Sequence, residues 1–192
     1  MLRFLTAHLL ILLMLFVSSM PSVAADKAEV DKERQDIRKR SAQILSQLYK
    51  AEPKAKVNIQ KAAGYATFSN FGMKILVAGS GTGKGVAVNS KTKKETFMKM
   101  LEIQAGLGFG AKKFSLVWVF ETPDALKTFI DSGWELGGQG SAAVKAGEKG
   151  AAFQDALAVA PGVWLYQLTD KGVALELTAK GTKYSKDDDL NG

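Results

Sequence analysis

The pattern of apolar residues changes at Gly64, and this change constrains the fold more than any other feature of the sequence. Residues 26–50 are highly charged and contain neither Gly nor Pro, a composition that predicts a helix. From Gly64 onward apolar residues recur at every second position, and Gly and short polar clusters divide the chain into short segments. This period of two is typical of antiparallel strands. The sequence therefore predicts an α+β fold in which an N-terminal helix precedes an antiparallel sheet.

The predicted N-terminal helix is amphipathic. Its apolar residues fall within an arc of about 40° when successive residues are placed about 100° apart. They are Val30, Ile37, Ile44 and Leu48. Basic residues flank or oppose this stripe: Arg34, Arg38, Lys39 and Arg40. In one interpretation the stripe packs against the sheet and the basic side chains are only solvated. In the other, the basic side chains attract anionic headgroups. The two are compatible if the stripe packs on the sheet while its basic flanks face lipid.

The segments after Gly64 predict a bent sheet. Pro53 separates the first helix from a short second one, which we expect to end at Gly64 in a left-handed cap. We predict strands at about 64–70, 73–79, 84–90, 94–101, 102–111 and 114–121. In 102–111 three glycines occur in phase on one face, which indicates close approach by another element or a sharp bend. The sheet is therefore expected to be strongly bent or barrel-like. Segment 114–121 is apolar on both faces and should be a central strand.

The second half of the chain adds one well-marked helix. Thr122-Pro123-Asp124 is typical of a helix N-terminus and predicts a helix near 123–131. A Gly-rich strand from Trp134 to about Val144 should follow. Segment 147–160 is ambiguous, and strands at 162–168 and 172–179 are predicted to form a hairpin.

Residues 1–25 have the features of a secretory signal peptide. Arg3 precedes an apolar stretch from Phe4 to Val17, and small residues follow up to Ala25. The stretch is shorter than the roughly 20 residues that a membrane-spanning helix needs, and a retained anchor is the alternative. We expect a single mature domain, residues 26–192, that is periplasmic or secreted.

The residue types present exclude several kinds of catalytic site. The sequence contains no Cys, and its single His is His8, inside the predicted signal peptide. A mature chain without His or Cys cannot form Ser-His-Asp or Cys-His triads, thiolate or imidazole zinc sites, or disulfides. We predict that the protein is not an enzyme and has no metal or other cofactor. The net charge of +7 favours anionic lipid or polyanionic envelope material as partners, and export disfavours nucleic acid.

Two motifs resemble ion-binding loops only in part. The run Gly79–Gly85 lacks the Gly and Ser/Thr positions that a Walker loop requires around Lys84. We predict a hairpin turn there, in which exposed amides and Lys84 could still hold a lipid phosphate. The acidic tail Asp187–Gly192 matches the start of an EF-hand loop without the Glu at position 12, and we predict that it is solvated. Lysines occur in two further predicted turns: Lys91, Lys93 and Lys94 in one, and Lys112 and Lys113 in the other.

The ordered set of motifs resembles the SYLF domain family. The run Lys61-Ala62-Ala63-Gly64-Tyr65-Ala66-Thr67-Phe68 is similar to the A-x-G-hydrophobic-x-hydrophobic-F opening of that domain. The other motifs follow in the family's order: the run 79–85, Gly106, Gly108 and Gly110, the strand to Phe120, the helix 123–131 and the run 133–137. The resemblance covers roughly residues 40–180. It implies a lipid-binding module: eukaryotic members bind phosphoinositides, often through an amphipathic N-terminal segment, yeast members also bind actin, and bacterial members are commonly exported.

From these features we predict non-catalytic binding of anionic phospholipid at a cell-envelope membrane surface by a peripheral protein. The candidate lipid-binding residues are Arg34, Arg38, Lys39, Arg40, Lys84, Lys112 and Lys113. The alternative is a structural or protein-interaction module of the cell envelope, which would dock a protein partner through a sheet edge or the helix.

Overall fold

The structure is a computed structural model, and it describes residues 23–75, 78–105, 110–136, 156–169, 172–174 and 182–192. The chain divides between Lys32 and Glu33 into two units, and every contact discussed below lies within the second. The predicted signal peptide falls almost entirely outside the described residues. So do parts of four predicted strands: positions 76–77, 106–109, those beyond Leu136, and those beyond Ala174.

In the described ranges the chain forms four helices. They are α1 (Val23–Ala51), α2 (Pro53–Lys61), α3 (Pro123–Ser132) and α4 (Asp188–Asn191). The helix predicted near 123–131 is confirmed as α3, and the side chain of Thr122 caps it by accepting a hydrogen bond from the Ala125 amide at 3.2 Å.

The predicted left-handed cap at Gly64 is wrong. Helix α2 ends at Lys61, Ala62 is already extended, and Gly64 begins a strand. Position 64 requires glycine for a steric reason, because a Cβ there would lie 2.6 Å from both the Val88 carbonyl oxygen and a Leu126 methyl carbon.

Nine strands occur in the described residues, and all of their pairings are antiparallel. They are β1 (Gly64–Ile75), β2 (Ala78–Asn89), β3 (Glu95–Ala105), β4 (Gly110–Phe120), β5 (Trp134–Leu136), β6 (Leu157–Ala160), β7 (Val163–Thr169), β8 (Gly172–Ala174) and β9 (Thr182–Lys186). Their order across the sheet is β5-β9-β3-β2-β1-β4-β7-β6, and β8 also pairs with β7. The predicted α+β fold is confirmed.

The run Gly79–Gly85 is strand and not the hairpin turn that we predicted. It lies within β2, which pairs with β1 on one side and β3 on the other. Gly83 faces the backbone of β1, and a Cβ there would lie 2.6 Å from the Ser69 carbonyl oxygen. The glycines therefore allow close strand packing. The backbone amides of β2 take part in strand pairing, so they are not available to bind a lipid phosphate as the sequence analysis allowed.

The sheet curls strongly, as the sequence predicted, and forms a half-barrel. Tyr184 on β9 and Trp118 on β4 are four strand spacings apart in the sheet order. In a flat sheet that separation would be about 19 Å, yet the centroids of the two rings are 5.0 Å apart. The concave face therefore closes on itself, and Phe68 and Phe129 of α3 complete its aromatic core.

From Phe114 to Phe120, strand β4 is buried on both faces, which confirms its predicted central position. Trp118 and its alternate neighbours face the concave core, whereas Val117 and Val119 face a second core beneath the N-terminal helices. Ile44 and Leu48 of α1 are buried in that second core. The C-terminal half of the apolar stripe, Ile44 and Leu48, therefore packs on the convex face of the sheet.

Candidate functional site

The C-terminal segment, residues 187–192, is docked on the convex side and is not the solvated tail that we predicted. Asp187 and Leu190 are almost completely buried, while Asp188 and Asp189 are exposed. The Asp187 amide donates to the carbonyl oxygen of Phe97 on β3 at 3.1 Å. One backbone hydrogen bond and one apolar anchor hold this segment on the sheet, and the number of acidic residues in the sequence does not reveal these contacts.

Two of the predicted lipid-binding residues contact other parts of the protein: Arg34 binds the C-terminal segment, and Arg38 binds strand β3. Arg34 donates from Nε to the Leu190 carbonyl oxygen at 3.0 Å, and Arg38 donates from Nε to Glu95 Oε2 at 2.7 Å. Both guanidinium groups lie over the ring of Phe97, at 5.9 Å and 5.2 Å from its centroid. Such cation–π contacts are stabilising, so these two arginines help to hold α1, β3 and the C-terminal segment together.

Lys84 makes two ionic contacts on the same face. Its Nζ lies 2.6 Å from Glu33 Oε1 and 3.5 Å from Asp187 Oδ2. Partial burial lowers the pKa of Lys84, but the hydrogen bonds and charges of Glu33 and Asp187 outweigh burial and hold that pKa above its usual value. Lys84 is therefore charged at neutral pH and is shared between α1 and the C-terminal segment.

The remaining predicted residues do not join this group. Lys39 and Arg40 are exposed on α1. Lys112 and Lys113 do not lie in a turn, as we had predicted, but within β4, where they pair with Gly72 and Phe71 of β1. The prediction failed because the strand was inferred from the apolar residues of 114–121, whereas β4 already begins at Gly110. The turn predicted at Lys91, Lys93 and Lys94 is confirmed, and the Asn89 side chain stabilises it by accepting from the Lys91 and Thr92 amides.

Strand pairing places a group of basic residues on the convex face that the sequence did not reveal. Lys84 is paired with Lys99 across β2 and β3, and Leu101 is paired with Lys183 across β3 and β9. Paired residues of antiparallel strands project on the same face, so directly opposed Cβ atoms lie about 5 Å apart and diagonal ones about 7–8 Å apart. We call Lys84, Lys99, Leu101 and Lys183 the lysine patch.

The lysine patch is accessible, and acids compensate only part of its positive charge. Leu101 is 47% exposed, which is unusual for a large apolar residue in a central strand. Lys99 and Lys183 are exposed and form no salt bridge within the described residues, but Glu135 on β5 lies directly opposite Lys183 in the sheet. Met98 and Met100 are buried and alternate with Lys99 and Leu101, so the period of two indicates that the latter face outward. The position of Lys183 beside them depends on the register between β3 and β9.

Within the residues that the structure describes, no group of three His, Cys, Asp or Glu side chains is placed to hold a metal ion. No helix in the described part of the chain is long and apolar enough to cross a membrane.

The fold and this surface define a curled antiparallel half-barrel whose convex face carries a basic patch beside a docked C-terminal segment. Residues 101–192 match the family model Ysc84, described as a Las17-binding protein actin regulator. Beta cell expansion factor A of Aeromonas veronii is 34% identical over 146 residues, which are 76% of this chain and 54% of that protein. The chain thus spans about half the length of this curated relative.

Residues 101–192 therefore carry a domain of the Ysc84 (SYLF) family, and the SYLF resemblance is confirmed. The matched region begins at Leu101 and includes Lys183 and the docked C-terminal segment. Membership of this family suggests lipid-related or actin-related binding.

Proposed function

We propose that this chain binds anionic phospholipid at a membrane surface of the cell envelope, as a peripheral and non-catalytic protein. The observation that carries the proposal is the lysine patch, in which three lysines from adjacent strands surround one exposed leucine. Such a surface offers cations to headgroups and an apolar side chain to the acyl boundary.

The opposition of Lys84 and Lys99 supports an anionic ligand. Like charges placed directly opposite each other on neighbouring strands destabilise a sheet. Glu33 and Asp187 offset the charge of Lys84, but no described acid offsets that of Lys99. A headgroup phosphate between the lysines would remove this repulsion and gain charge-assisted hydrogen bonds.

The size of the patch is consistent with weak and reversible binding. A basic residue near an anionic membrane surface contributes roughly 1 kcal/mol. Lys99 and Lys183 together therefore contribute at most about 2 kcal/mol, because Glu135 lies opposite Lys183 and reduces its share. Leu101 adds apolar contact as it enters the interface. The attraction is screened within a Debye length of about 8 Å at physiological salt, so binding should weaken as salt rises.

Export to the envelope is part of the same proposal. Arg3, the apolar stretch Phe4–Val17 and the small residues up to Ala25 support a signal peptide and a periplasmic or secreted location. Localisation of the protein in fractionated cells of its source would test this part separately.

Co-sedimentation of the full chain with liposomes tests the proposal. The vesicles are neutral phosphatidylcholine, alone or mixed with phosphatidylglycerol, at low and moderate salt. We expect binding to the anionic vesicles only, and at least about thirtyfold weaker binding for the double variant Lys99→Glu/Lys183→Glu, because it loses up to about 2 kcal/mol of attraction and adds two repelling carboxylates.

The matched control is Lys91→Glu/Lys94→Glu, which changes the net charge equally in the exposed β2–β3 turn. Lys94 and Leu101 are seven residues apart along an extended segment, about 24 Å, so this control should bind nearly as well as the parent. Equal losses in both variants would mean that net charge, and not the lysine patch, causes binding. Equal binding to neutral and anionic vesicles would refute the electrostatic mechanism.

A protein partner is the alternative, and the exposed Leu101 is the observation that favours it. Capture of an envelope protein that survives charge reversal at Arg38, Lys39 and Arg40 but is lost in Leu101→Asp would support that alternative.

A further inference from the structure

Helices α1 and α2 border a shallow groove, largely open to solvent, beside the elbow that they form at Glu52. The groove has a volume of about 540 Å³. Its lining consists of Ala42, Leu45, Ser46, Tyr49 and Lys50 from α1, and of Pro53 and Lys56 from α2. We call it the elbow groove. It shares no residue with the lysine patch.

The lining is mostly apolar and includes two lysines. Leu45 and Tyr49 are half-buried and pack against the core beneath the helices, so they present their remaining surface to the groove. Lys50 and Lys56 are exposed, and the lining contains no acid. The nearby Glu52 is almost completely buried, and its carboxylate accepts from the Lys54 amide at the start of α2.

The dimensions favour a small elongated ligand over a protein. Binding sites for small molecules typically have volumes of about 300–1,000 Å³, whereas a stable protein interface engages about 20–30 residues on each side. From Ala42 to Lys50 the groove follows eight residues of α1, about 12 Å at 1.5 Å per residue. An acyl chain is narrow enough to lie along such a groove.

We propose that the elbow groove binds a single-chain amphiphile with an anionic head, a long-chain fatty acid. The acyl chain lies against Leu45, Tyr49 and Pro53, which removes apolar surface from water on both partners. The carboxylate lies between Lys50 and Lys56, where two cations complement its charge. This inference is independent of vesicle binding by the lysine patch.

Isothermal titration calorimetry of the full chain with myristate, below the concentration at which micelles form, tests this inference. Two variants alter the groove at exposed positions where folding should be retained: Ala42→Phe fills it, and Ser46→Glu introduces a repelling carboxylate. We expect saturable binding of one myristate per chain, and binding at least about tenfold weaker in either variant.

The chemistry of the head is tested by comparison with myristyl alcohol and acetate. The charge-reversal variant Lys50→Glu/Lys56→Glu should lose myristate binding about tenfold while its weak binding of the alcohol is unchanged. Acetate, which has the head without the chain, should not bind measurably. Lys99→Glu/Lys183→Glu should bind myristate like the parent, so failure of vesicle binding and failure of this inference remain distinguishable.

Three results would overturn the inference. One is the absence of saturable myristate binding. Another is myristate binding that neither Ala42→Phe nor Ser46→Glu weakens. The third is binding of an acidic amphipathic peptide that Ala42→Phe abolishes while myristate fails to bind, which would make the groove a protein-docking site. Unfolding midpoints of all variants, equal to that of the parent, exclude loss of folding as the cause.

Discussion

The side chain of Asn191 pairs with the backbone of Phe97 as the next residue of a neighbouring strand would. Its Nδ2 donates to the Phe97 carbonyl oxygen at 2.8 Å, and its Oδ1 accepts from the Phe97 amide at 3.0 Å. The ladder between β3 and β9 ends at the pair Met98 and Lys186. Asn191 therefore extends that ladder by one residue from within α4, and this contact fixes the C-terminal segment against the sheet.

Replacing Asn191 with Ala should destabilise the protein by about 1–3 kcal/mol, because the partly buried amide of Phe97 is left without an acceptor, while its carbonyl keeps the Asp187 amide as a donor. The change should appear as a lower urea midpoint with an unchanged slope. Asp189→Ala, at an exposed position of the same helix, is the control and should change stability by less than about 0.5 kcal/mol. Equal stability of the two variants would mean that the amide pairing contributes nothing measurable.

The glycines of β2 should be intolerant of a methyl group where they face the β1 backbone. In Gly83→Ala the new Cβ would lie 2.6 Å from the Ser69 carbonyl oxygen, so the strands must separate or shift. We expect a loss of about 1–3 kcal/mol in the free energy of unfolding. Thr82→Val, the exposed neighbour on the same strand, should be nearly neutral. A Gly83→Ala variant as stable as the parent would contradict the steric role of this glycine.

The ion pairs of Asp131 predict a specific acid response. Hydrogen bonds from Lys127 and then from Lys186 lower the pKa of Asp131 from 3.8 to about 2. A carboxyl whose pKa is lowered by folding stabilises the protein above its unfolded pKa and loses that contribution as the pH falls through its folded pKa. The stability difference between the parent and Asp131→Asn should therefore be constant above about pH 5 and shrink between about pH 4 and 2.

Thermal unfolding of both proteins across this pH range measures that difference. Because the pair is exposed to solvent, added salt should reduce the difference at every pH. If the stability difference between the parent and Asp131→Asn remained unchanged at about pH 2, its cause would not be the lost carboxylate charge.

The sequence predicted the elements of this fold better than their contacts. Local signals were sufficient for α3, where Thr122 and Pro123 set the helix start, and for β4, whose apolar residues occur on both faces. The same reasoning divided β1 and β2 at their glycines, because a glycine run indicates a turn unless the strand that packs against it is known. Strand pairing supplies that information, and it is a long-range property.

The candidate site was less accessible to prediction for the same physical reason. Arg34 was expected to face lipid, yet its hydrogen-bond acceptor Leu190 lies 156 positions away in the chain. Lys99 and Lys183 were missed because each is unremarkable alone and becomes part of a patch only through the register of β3 and β9. The charges were visible in the sequence, but their partners were not.

Glu33 and Asp187 limit the positive charge that Lys84 offers to a membrane, so removing them should strengthen vesicle binding. In Glu33→Gln/Asp187→Asn both replacements keep the side-chain shape and free Lys84 from its two acids. One basic residue contributes roughly 1 kcal/mol at an anionic surface, which corresponds to about fivefold tighter binding. Co-sedimentation with phosphatidylglycerol vesicles at low salt measures the gain, which should vanish at moderate salt.

The control for this gain is a variant that removes the same charge elsewhere on the convex side. Asp36→Asn/Asp189→Asn neutralises two exposed acids that no described ion pair connects to Lys84. If the local release of Lys84 causes tighter binding, the control should gain clearly less than Glu33→Gln/Asp187→Asn. Equal gains would assign the effect to net charge alone. No gain in either variant would show that Lys84 does not reach the lipid, and it would restrict the membrane contact to Lys99, Leu101 and Lys183.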